Sequence, residues 1–198
     1  MLIVIPAAGA SSRMRGRDKL LECVRNQPLL ARQVSVALAT GMDVLVTLPP
    51  DNPDRQAIVE GMAAQKLHLM VVDHAEEGLS ASLRGAVTFA RNHDADSMMI
   101  LLADLPEIET ADLTTMIRQF DGKTILRASD SDGRAGHPVI FPGRYFGALR
   151  GLAGDQGARV IMMGEDVMTI PLPDRRATTD LDTPEDWTEW RERTGCLD

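Results

Sequence analysis

The sequence is poor in three features that define large classes of proteins: cysteine, long apolar runs and net positive charge. Its two cysteines, Cys23 and Cys196, are far apart and form no C-x-x-C pair, so we expect a reducing compartment with neither a disulfide framework nor a zinc site. No segment approaches the roughly 20 apolar residues of a membrane span. The apolar start, residues 1–5, is too short for the core of a signal peptide. These absences predict a soluble cytoplasmic protein with no membrane partner.

The charge balance excludes another class. The formal net charge is −8, whereas a general DNA- or RNA-binding protein needs a broad basic face. The rest of the composition is ordinary for a globular protein, with 44% hydrophobic and 25% charged residues over 198 positions. We therefore expect a single domain over residues 1–198, with a substantial core and no nucleic-acid partner.

Short apolar runs alternate with helical patterns through the first two-thirds of the chain. Strands are predicted at residues 2–5, 44–48, 69–72, 98–102 and 124–128, and helices at 28–40, 54–65, 80–91 and 110–120. Beyond them the predicted elements are a flexible loop at 129–136, a strand at 137–141, a turn at 154–157, a short helix at 158–163, a strand at 167–170 and a last helix at 183–193 that Thr183 caps. This order predicts an α/β fold with a mostly parallel sheet between helices.

The loop after the first strand reads PAAGASSRMRGRDK, residues 6–19. Its small residues allow backbone N–H groups to approach phosphate oxygens closely, and Arg13 and Lys19 add positive charge. It is neither a Walker loop nor the G-x-G-x-x-G dinucleotide fingerprint. The loop therefore indicates a phosphate site of another kind, unless it is only a solvated basic loop.

Two acidic stretches are candidates for a metal site. Asp104 follows an entirely apolar strand, where a carboxylate can hold Mg²⁺ together with substrate phosphates. It is alternatively a turn aspartate fixed by Pro106. Asp180 and Asp182 alternate on a segment before the last helix, so either one could complete the site.

Two further motifs are weak by themselves. Ser80 and Ser82 open the third helix, where their hydroxyls could contact a ligand or Ser80 could simply cap the helix. His137, between Gly136 and Pro138, is either a ligand contact or a histidine at the end of a strand.

Six motifs occur together in one order: P-A-A-G-x-S-x-R-M, G-L-S-A-S-L, A-D-L-P, G-H-P-V-I-F, G-D-x-G-A-R and D-L-D-T-P-E-D. In this combination the chain resembles the MobA-like NTP transferase family, and within it the molybdenum cofactor cytidylyltransferase branch. The resemblance implies a Rossmann-like, three-layer α/β/α nucleotidyltransferase fold. It also implies transfer of a nucleoside monophosphate from an NTP to a phosphorylated acceptor, with release of pyrophosphate.

The resemblance also implies roles for individual residues. It puts the nucleotide on Ala7, Ala8, Gly9, Ser11, Arg13, Lys19, Ser80 and Ser82. It makes Arg13, Lys19 and Asp104 catalytic, Asp104 and Asp182 the ligands of Mg²⁺, and Gly136, His137 and Pro138 the acceptor-binding residues. One departure matters: the family pattern is R-M-G-x-x-K, whereas here the glycine and lysine each come one position late. A one-residue bulge that still delivers Lys19 would explain it.

The first loop favours CTP as the donor. Cytidylyl-transferring relatives tend to have A-A-G there, whereas guanylyl-transferring relatives tend to have L-A-G-G. The methyl group of Ala8 would also crowd a purine more than a pyrimidine. The expected acceptor is a molybdopterin-type cofactor, with a molybdoenzyme or its chaperone as a transient partner. Two alternatives are another phosphorylated acceptor, such as a sugar or polyol phosphate, and a nucleotide-binding module without turnover.

Overall fold

The computed structural model describes residues 1–154 and 157–196 of the chain. Numbered along the chain, its strands are β1 (Leu2–Pro6), β2 (Cys23–Val24), β3 (Gln27–Pro28), β4 (Asp43–Leu48), β5 (Leu67–Val71), β6 (Ser97–Ile100), β7 (Ile125–Ser129), β8 (Ala135–Pro142) and β9 (Val167–Pro171). Its helices are α1 (Leu29–Leu38), α2 (Pro53–Gly61), α3 (Leu79–Asn92), α4 (Thr110–Gln119), α5 (Phe146–Arg150), α6 (Arg159–Met162) and α7 (Pro184–Thr194).

A seven-stranded sheet in the order β5-β4-β1-β6-β8-β7-β9 forms the centre of the molecule. Its neighbouring strands run parallel except at β8, which is antiparallel to both β6 and β7. β2 and β3 form a separate small hairpin that the sequence pattern did not predict. The predicted α/β fold with a mostly parallel sheet is therefore confirmed.

Strand β1 shows why the sheet needs helices on both faces. Ile3 and Ile5 pack into one apolar cluster, which α1, α4 and α7 cover, whereas Leu2 and Val4 pack into a second cluster, which α3 and α5 cover. All four side chains are almost fully buried. Since successive side chains of a strand point to opposite faces, a strand that is apolar throughout requires this three-layer arrangement.

Several predicted boundaries move, each for a local reason. Helix α1 begins after Pro28, because that residue belongs to the hairpin, and α2 ends at Gly61 instead of residue 65. The loop predicted at 129–136 is shorter and ordered, since the buried Asp130 carboxylate accepts hydrogen bonds from the backbone N–H groups of Asp132 and Arg134. The predicted turn at 154–157 lies partly outside the described residues.

The last helix follows the prediction closely. The Thr183 hydroxyl accepts a hydrogen bond from the Asp186 backbone N–H, and the Asp186 carboxylate accepts one from the Thr183 N–H. This reciprocal capping box starts α7 at Pro184. Within the described part of the chain, no helix is both long and apolar enough to cross a bilayer.

Candidate active site

A cavity of about 180 Å³ opens at the carboxyl ends of β1 and β6, where ligand sites of open α/β sheets lie. We call it the strand-end cavity. Its lining residues are Pro6, Ala7, Ala8, Gly9, Lys19, Leu20, Gly78, Leu79, Ser82, Leu102, Ala103 and Asp104. Two walls contribute half of them: the N-terminal loop, residues 7–19, and the carboxylate turn, residues 103–109. Motifs from distant parts of the sequence thus meet at one place.

The N-terminal loop is held from behind by one arginine of α2. Arg55 is 1% exposed, and its guanidinium donates hydrogen bonds to the backbone oxygens of Ala7 at 2.6 Å and Gly9 at 2.8 Å. The same guanidinium donates to the Ser11 hydroxyl and, through Nε and Nη2, to both oxygens of Asp18. One side chain therefore ties together the beginning, middle and end of the loop.

Asp18 is the counterion of this buried guanidinium. Its carboxylate also accepts from the Asn52 amide at 3.0 Å and from the Leu20 backbone N–H at 3.0 Å. Burial raises the pKa of Asp18, but the hydrogen bonds and charge of Arg55 and the bond from Asn52 outweigh it, so the net pKa is lowered. The carboxylate is therefore ionised at neutral pH. Sequence reasoning missed Arg55, because an arginine in the first turn of a polar helix normally faces solvent.

A local turn brings Lys19 to the cavity in spite of its displaced position in the motif. Arg15 and Gly16 both adopt positive φ, 53° and 89°, and the Arg17 N–H donates to the Met14 carbonyl at 3.2 Å. This left-handed turn is compatible with the extra residue, and glycine tolerates it without strain. The Lys19 ammonium lies 2.6 Å from Asp104 Oδ2 and 2.7 Å from Asp182 Oδ1.

The carboxylate turn is held through its own backbone carbonyl groups, which accept hydrogen bonds from one backbone N–H and two side chains. The Asp104 carbonyl accepts from the Leu181 N–H at 3.1 Å, and the Leu105 carbonyl accepts from the Gln33 side chain. Arg32 donates to the Ile108 carbonyl at 2.8 Å. The bond from Leu181 also places Asp182 beside Asp104, although the two lie far apart in the sequence.

The positive charge of the N-terminal loop is neutralised within the molecule. Its four cations form the ion pairs Arg13–Asp182 (2.8 Å), Arg15–Glu185 (2.7 Å), Arg17–Glu22 (3.2 Å) and Lys19 with both Asp104 and Asp182. The sequence predicts a basic loop available to an anion, whereas in this structure each cation already has a carboxylate partner. A triphosphate would therefore have to exchange partners with these carboxylates.

Lys19 is the most buried of these cations. Burial lowers the pKa of its ammonium, but the charges and hydrogen bonds of Asp104 and Asp182 raise the pKa by a larger amount. The net pKa of Lys19 is therefore above its usual value. Lys19 is thus fully protonated at neutral pH and joins the two carboxylates that the sequence analysis selected.

Asp180, the alternative to Asp182 as a second metal ligand, does not line the strand-end cavity. It lines a neighbouring cavity of about 230 Å³ together with Arg175 and Trp190. Burial raises the pKa of Asp180, and the negative charges of Asp104 and Asp182 raise it further. Among the described residues it forms no ion pair with Lys19, whereas Asp182 does. The structure therefore favours Asp182 as the partner of Asp104.

The two serines of α3 have different surroundings. The Ser80 hydroxyl is buried and donates to the Glu77 carbonyl at 3.0 Å. Helix α3 begins at Leu79 with Gly78 as its N-cap, so Ser80 is not the cap. Ser82 lines the strand-end cavity, and its hydroxyl forms no hydrogen bond within the described residues. Ser82 is thus free to contact a ligand.

The predicted acceptor segment at the start of β8 is tightly packed. A Cβ atom on Gly136 would lie 1.9 Å from the Ala177 carbonyl oxygen, so glycine is required there by close backbone approach. The peptide bond between His137 and Pro138 is cis. Burial, reinforced by the charge of Arg127, lowers the pKa of His137 to about 4, so its ring is neutral at pH 7.

A metal ion would find one suitable atom in this site. Asp104 Oδ1 is buried and has no hydrogen-bond partner within residues 1–154 and 157–196. Across the same residues, no group of three or more His, Cys, Asp or Glu side chains is arranged so that it could hold a metal ion. One carboxylate oxygen is nevertheless compatible with Mg²⁺, which is usually bound by one or two carboxylates plus substrate phosphates.

A family model for the MobA-like NTP transferase domain matches residues 3–168. The chain belongs to this family. The match covers both walls of the strand-end cavity and confirms the resemblance seen in the motif order. Nucleotidyl transfer is therefore the activity class of this MobA-like chain.

Curated relatives cover most of its length. The chain is 28% identical over 192 residues to "Purine catabolism protein PucB" of Bacillus subtilis, with 93% of this chain and 92% of the relative covered. It is 28% identical over 188 residues to "Probable molybdenum cofactor guanylyltransferase" of Synechococcus elongatus, with 91% and 93% covered.

Solved structures agree on the fold. Rv0371c from Mycobacterium tuberculosis has 30% identity and a TM-score of 0.80, with 96% of this chain and 97% of that chain covered. A complex of the same protein with manganese has 28% identity, a TM-score of 0.76 and the same coverage. A CMP:2-keto-3-deoxy-manno-octonic acid synthetase complexed with CTP has 15% identity, a TM-score of 0.74 and 98% of each chain covered, which shows a shared fold alone.

Proposed function

We propose that this chain transfers CMP from CTP to a molybdopterin-type cofactor and releases pyrophosphate, with Mg²⁺ as the metal. The observation that carries the proposal is the strand-end cavity, where the small-residue N-terminal loop faces Lys19 and Asp104. A triphosphate needs backbone donors and cations, and a metal needs a carboxylate. The cavity offers all three.

The backbone of the N-terminal loop supports the triphosphate assignment. The carbonyl oxygens of Ala7 and Gly9 are bound to Arg55 behind the loop. Within the described residues, the N–H groups of Ala8 and Gly9 donate no hydrogen bond. Because Arg55 sequesters the acceptors and the donors stay free, this part of the loop suits an anion.

Asp104 would hold the metal through Oδ1, with Asp182 nearby as the second candidate. The manganese complex of Rv0371c supports a divalent metal in a relative. When bound, the ion would neutralise phosphate charge and polarise the α-phosphate. Both oxygens of Asp182 already hold Arg13 and Lys19, so it would ligate only after these pairs open.

The reaction needs no protein nucleophile. A phosphate oxygen of the acceptor attacks the α-phosphorus of CTP, and the bond from that phosphorus to the oxygen bridging the β-phosphate breaks. The electron pair leaves with pyrophosphate. Arg13 and Lys19, released from their carboxylates, would bind the phosphate oxygens where negative charge accumulates.

Ala8 supports the choice of CTP as the donor, because its methyl group would crowd a purine. The residue is 5% exposed and lines the cavity beside Gly9. GTP is the second candidate donor, because a relative with 28% identity is named a guanylyltransferase.

The proposed acceptor segment is Gly136 to Pro138. There the neutral His137 adds no positive charge, so it would contact a pterin through hydrogen bonding and packing.

The first experiment measures pyrophosphate release with Mg²⁺ from CTP, GTP, ATP and UTP, with and without molybdopterin. We expect release from CTP that depends on the pterin. Ala8→Gly is the matched variant for base choice, and it should raise the use of GTP relative to CTP. Release from GTP alone would overturn the choice of donor. Tight CTP binding without release, with any phosphorylated acceptor, would favour a module without turnover.

A further inference from the structure

We infer that Arg55 is a positioning residue for the triphosphate: it fixes the N-terminal loop in its anion-binding shape without touching the ligand. The inference rests on the proposed function, since it assigns a residue to the same nucleotide site. Arg55 lies in α2, outside every motif of the nucleotidyltransferase pattern, and is 1% exposed. It does not line the strand-end cavity.

Arg55 binds carbonyl oxygens of the N-terminal loop. A carbonyl that faced the cavity would repel phosphate oxygens. The Ala7 and Gly9 carbonyls instead accept hydrogen bonds at 2.6 Å and 2.8 Å from the Arg55 guanidinium, which is not among the residues that line the cavity. Only a planar group with several fixed donors can reach two carbonyls, a hydroxyl and a carboxylate at once.

The contacts of Arg55 with the N-terminal loop, which we call the Arg55 clamp, extend to the residue before Lys19. Asp18 directly precedes Lys19, and both of its oxygens accept from Arg55, at 2.6 Å and 2.7 Å. The Ser11 hydroxyl accepts from Arg55 and from the Lys19 backbone N–H and donates to Asp18. The same network therefore sets the shape of the loop and the point at which Lys19 leaves it.

Ser11, which the motif resemblance assigns to the nucleotide, belongs to the same network. Its hydroxyl is fully occupied by loop contacts in this structure. We infer that Ser11 acts through the loop, as Asp18 does. The recognition this network supports is therefore of the triphosphate and not of the base.

The test uses Arg55→Lys, Arg55→Met and the pair Arg55→Met with Asp18→Asn. Each is titrated with CTP, GTP and inorganic tripolyphosphate in the presence of Mg²⁺, and thermal unfolding is followed in parallel. Arg176→Met is the matched control, because it breaks an ion pair with the buried Asp112 carboxylate (3.0 Å) outside the strand-end cavity. It should leave all three affinities unchanged.

We expect Arg55→Met to weaken CTP, GTP and tripolyphosphate by a similar factor, about tenfold or more, and to lower kcat/KM by about 100-fold, since small misplacements of binding groups have effects of this size. Arg55→Lys should restore part of the affinity. The double variant removes both buried charges, so its melting temperature should recover, but its affinity should not, because the two carbonyls remain untied.

Two results would overturn the inference. One is a double variant whose affinity recovers together with its stability, which would make the pair purely structural. The other is an Arg55 variant that changes the preference between CTP and GTP but not tripolyphosphate binding. If the unaltered protein binds none of the three ligands, the proposed function itself fails. Amide hydrogen exchange should then still show faster opening of residues 7–19 in Arg55→Lys.

Discussion

The two walls of the strand-end cavity are built differently. The N-terminal loop is held by the side chain of Arg55 and by ion pairs at the surface, where Arg13 is 66% and Arg15 71% exposed. The carboxylate turn is held by hydrogen bonds to its backbone and by core residues such as Leu105 and Ile108, which are 2% and 0% exposed. A wall with exchangeable partners can re-pair with a phosphate, whereas an anchored wall keeps Asp104 in place.

The largest expected effect is on the anchored wall. Asp104→Asn keeps the size of the side chain but removes the charge that a metal requires. We expect turnover to fall by about 1000-fold or more, with little change in melting temperature. Pyrophosphate release and thermal unfolding measure the two quantities. Asp51→Asn, an exposed site in the turn before α2, is the control for the substitution itself. Near-normal turnover of Asp104→Asn would contradict the proposal that Asp104 holds the metal.

The second prediction tests the close packing of the predicted acceptor segment at the start of β8. Gly136→Ala places a Cβ atom 1.9 Å from the Ala177 carbonyl, so β8 and residue 177 must separate. The expected loss is about 3 kcal/mol in the free energy of unfolding. Gly147→Ala in α5 is the matched control, because a Cβ there meets nothing within 4 Å. Urea titration distinguishes them, and equal stability of the two variants would contradict the close approach.

The third prediction concerns the buried ion pair of Arg55 and Asp18 that holds the N-terminal loop. Asp18→Asn removes the counterion of Arg55 and should lower the free energy of unfolding at pH 7 by about 2 kcal/mol. Because the folded pKa of Asp18 is lowered from 3.8, its stabilisation is present above that pH and is lost as the pH falls through the folded pKa.

Urea titrations between pH 7 and pH 2 should therefore show that the unaltered protein loses more stability than Asp18→Asn. The difference between the two proteins should shrink below about pH 4. A difference that stays constant across this range would mean that the Asp18 charge does not stabilise the fold.

The smallest expected effect separates two neighbouring serines. Ser82→Ala should weaken CTP binding about threefold to tenfold, since Ser82 lines the strand-end cavity and its hydroxyl has no hydrogen-bond partner among the described residues. Ser80→Ala should leave binding unchanged and lower stability by about 1 kcal/mol, because it removes the bond to the Glu77 carbonyl. Calorimetric titration with CTP compares them. Equal affinity losses would show that the helix start acts as a unit.

The strands and the order of the fold could be predicted from the sequence, because they depend on local patterns. Fully apolar runs such as residues 98–102 need cover on both faces, and Thr183 with Asp186 predicts where α7 begins. The small-residue loop and Asp104 could be selected for the same reason: each follows a predicted strand, and the carboxyl ends of parallel strands meet at one edge of the sheet.

Other features depended on contacts between distant segments. Nothing in the pattern around Arg55 indicates that it is buried against residues 7–18. The alternation of Asp180 and Asp182 did not distinguish the two carboxylates either, and only the family resemblance selected Asp182. The sequence by itself determined the chemistry of this protein: which residue types could bind phosphate and metal, and in which α/β framework. Only the tertiary structure decided which of them meet. Burial and pairing of charges depend on neighbours that are far apart along the chain, such as Lys19, Asp104 and Asp182.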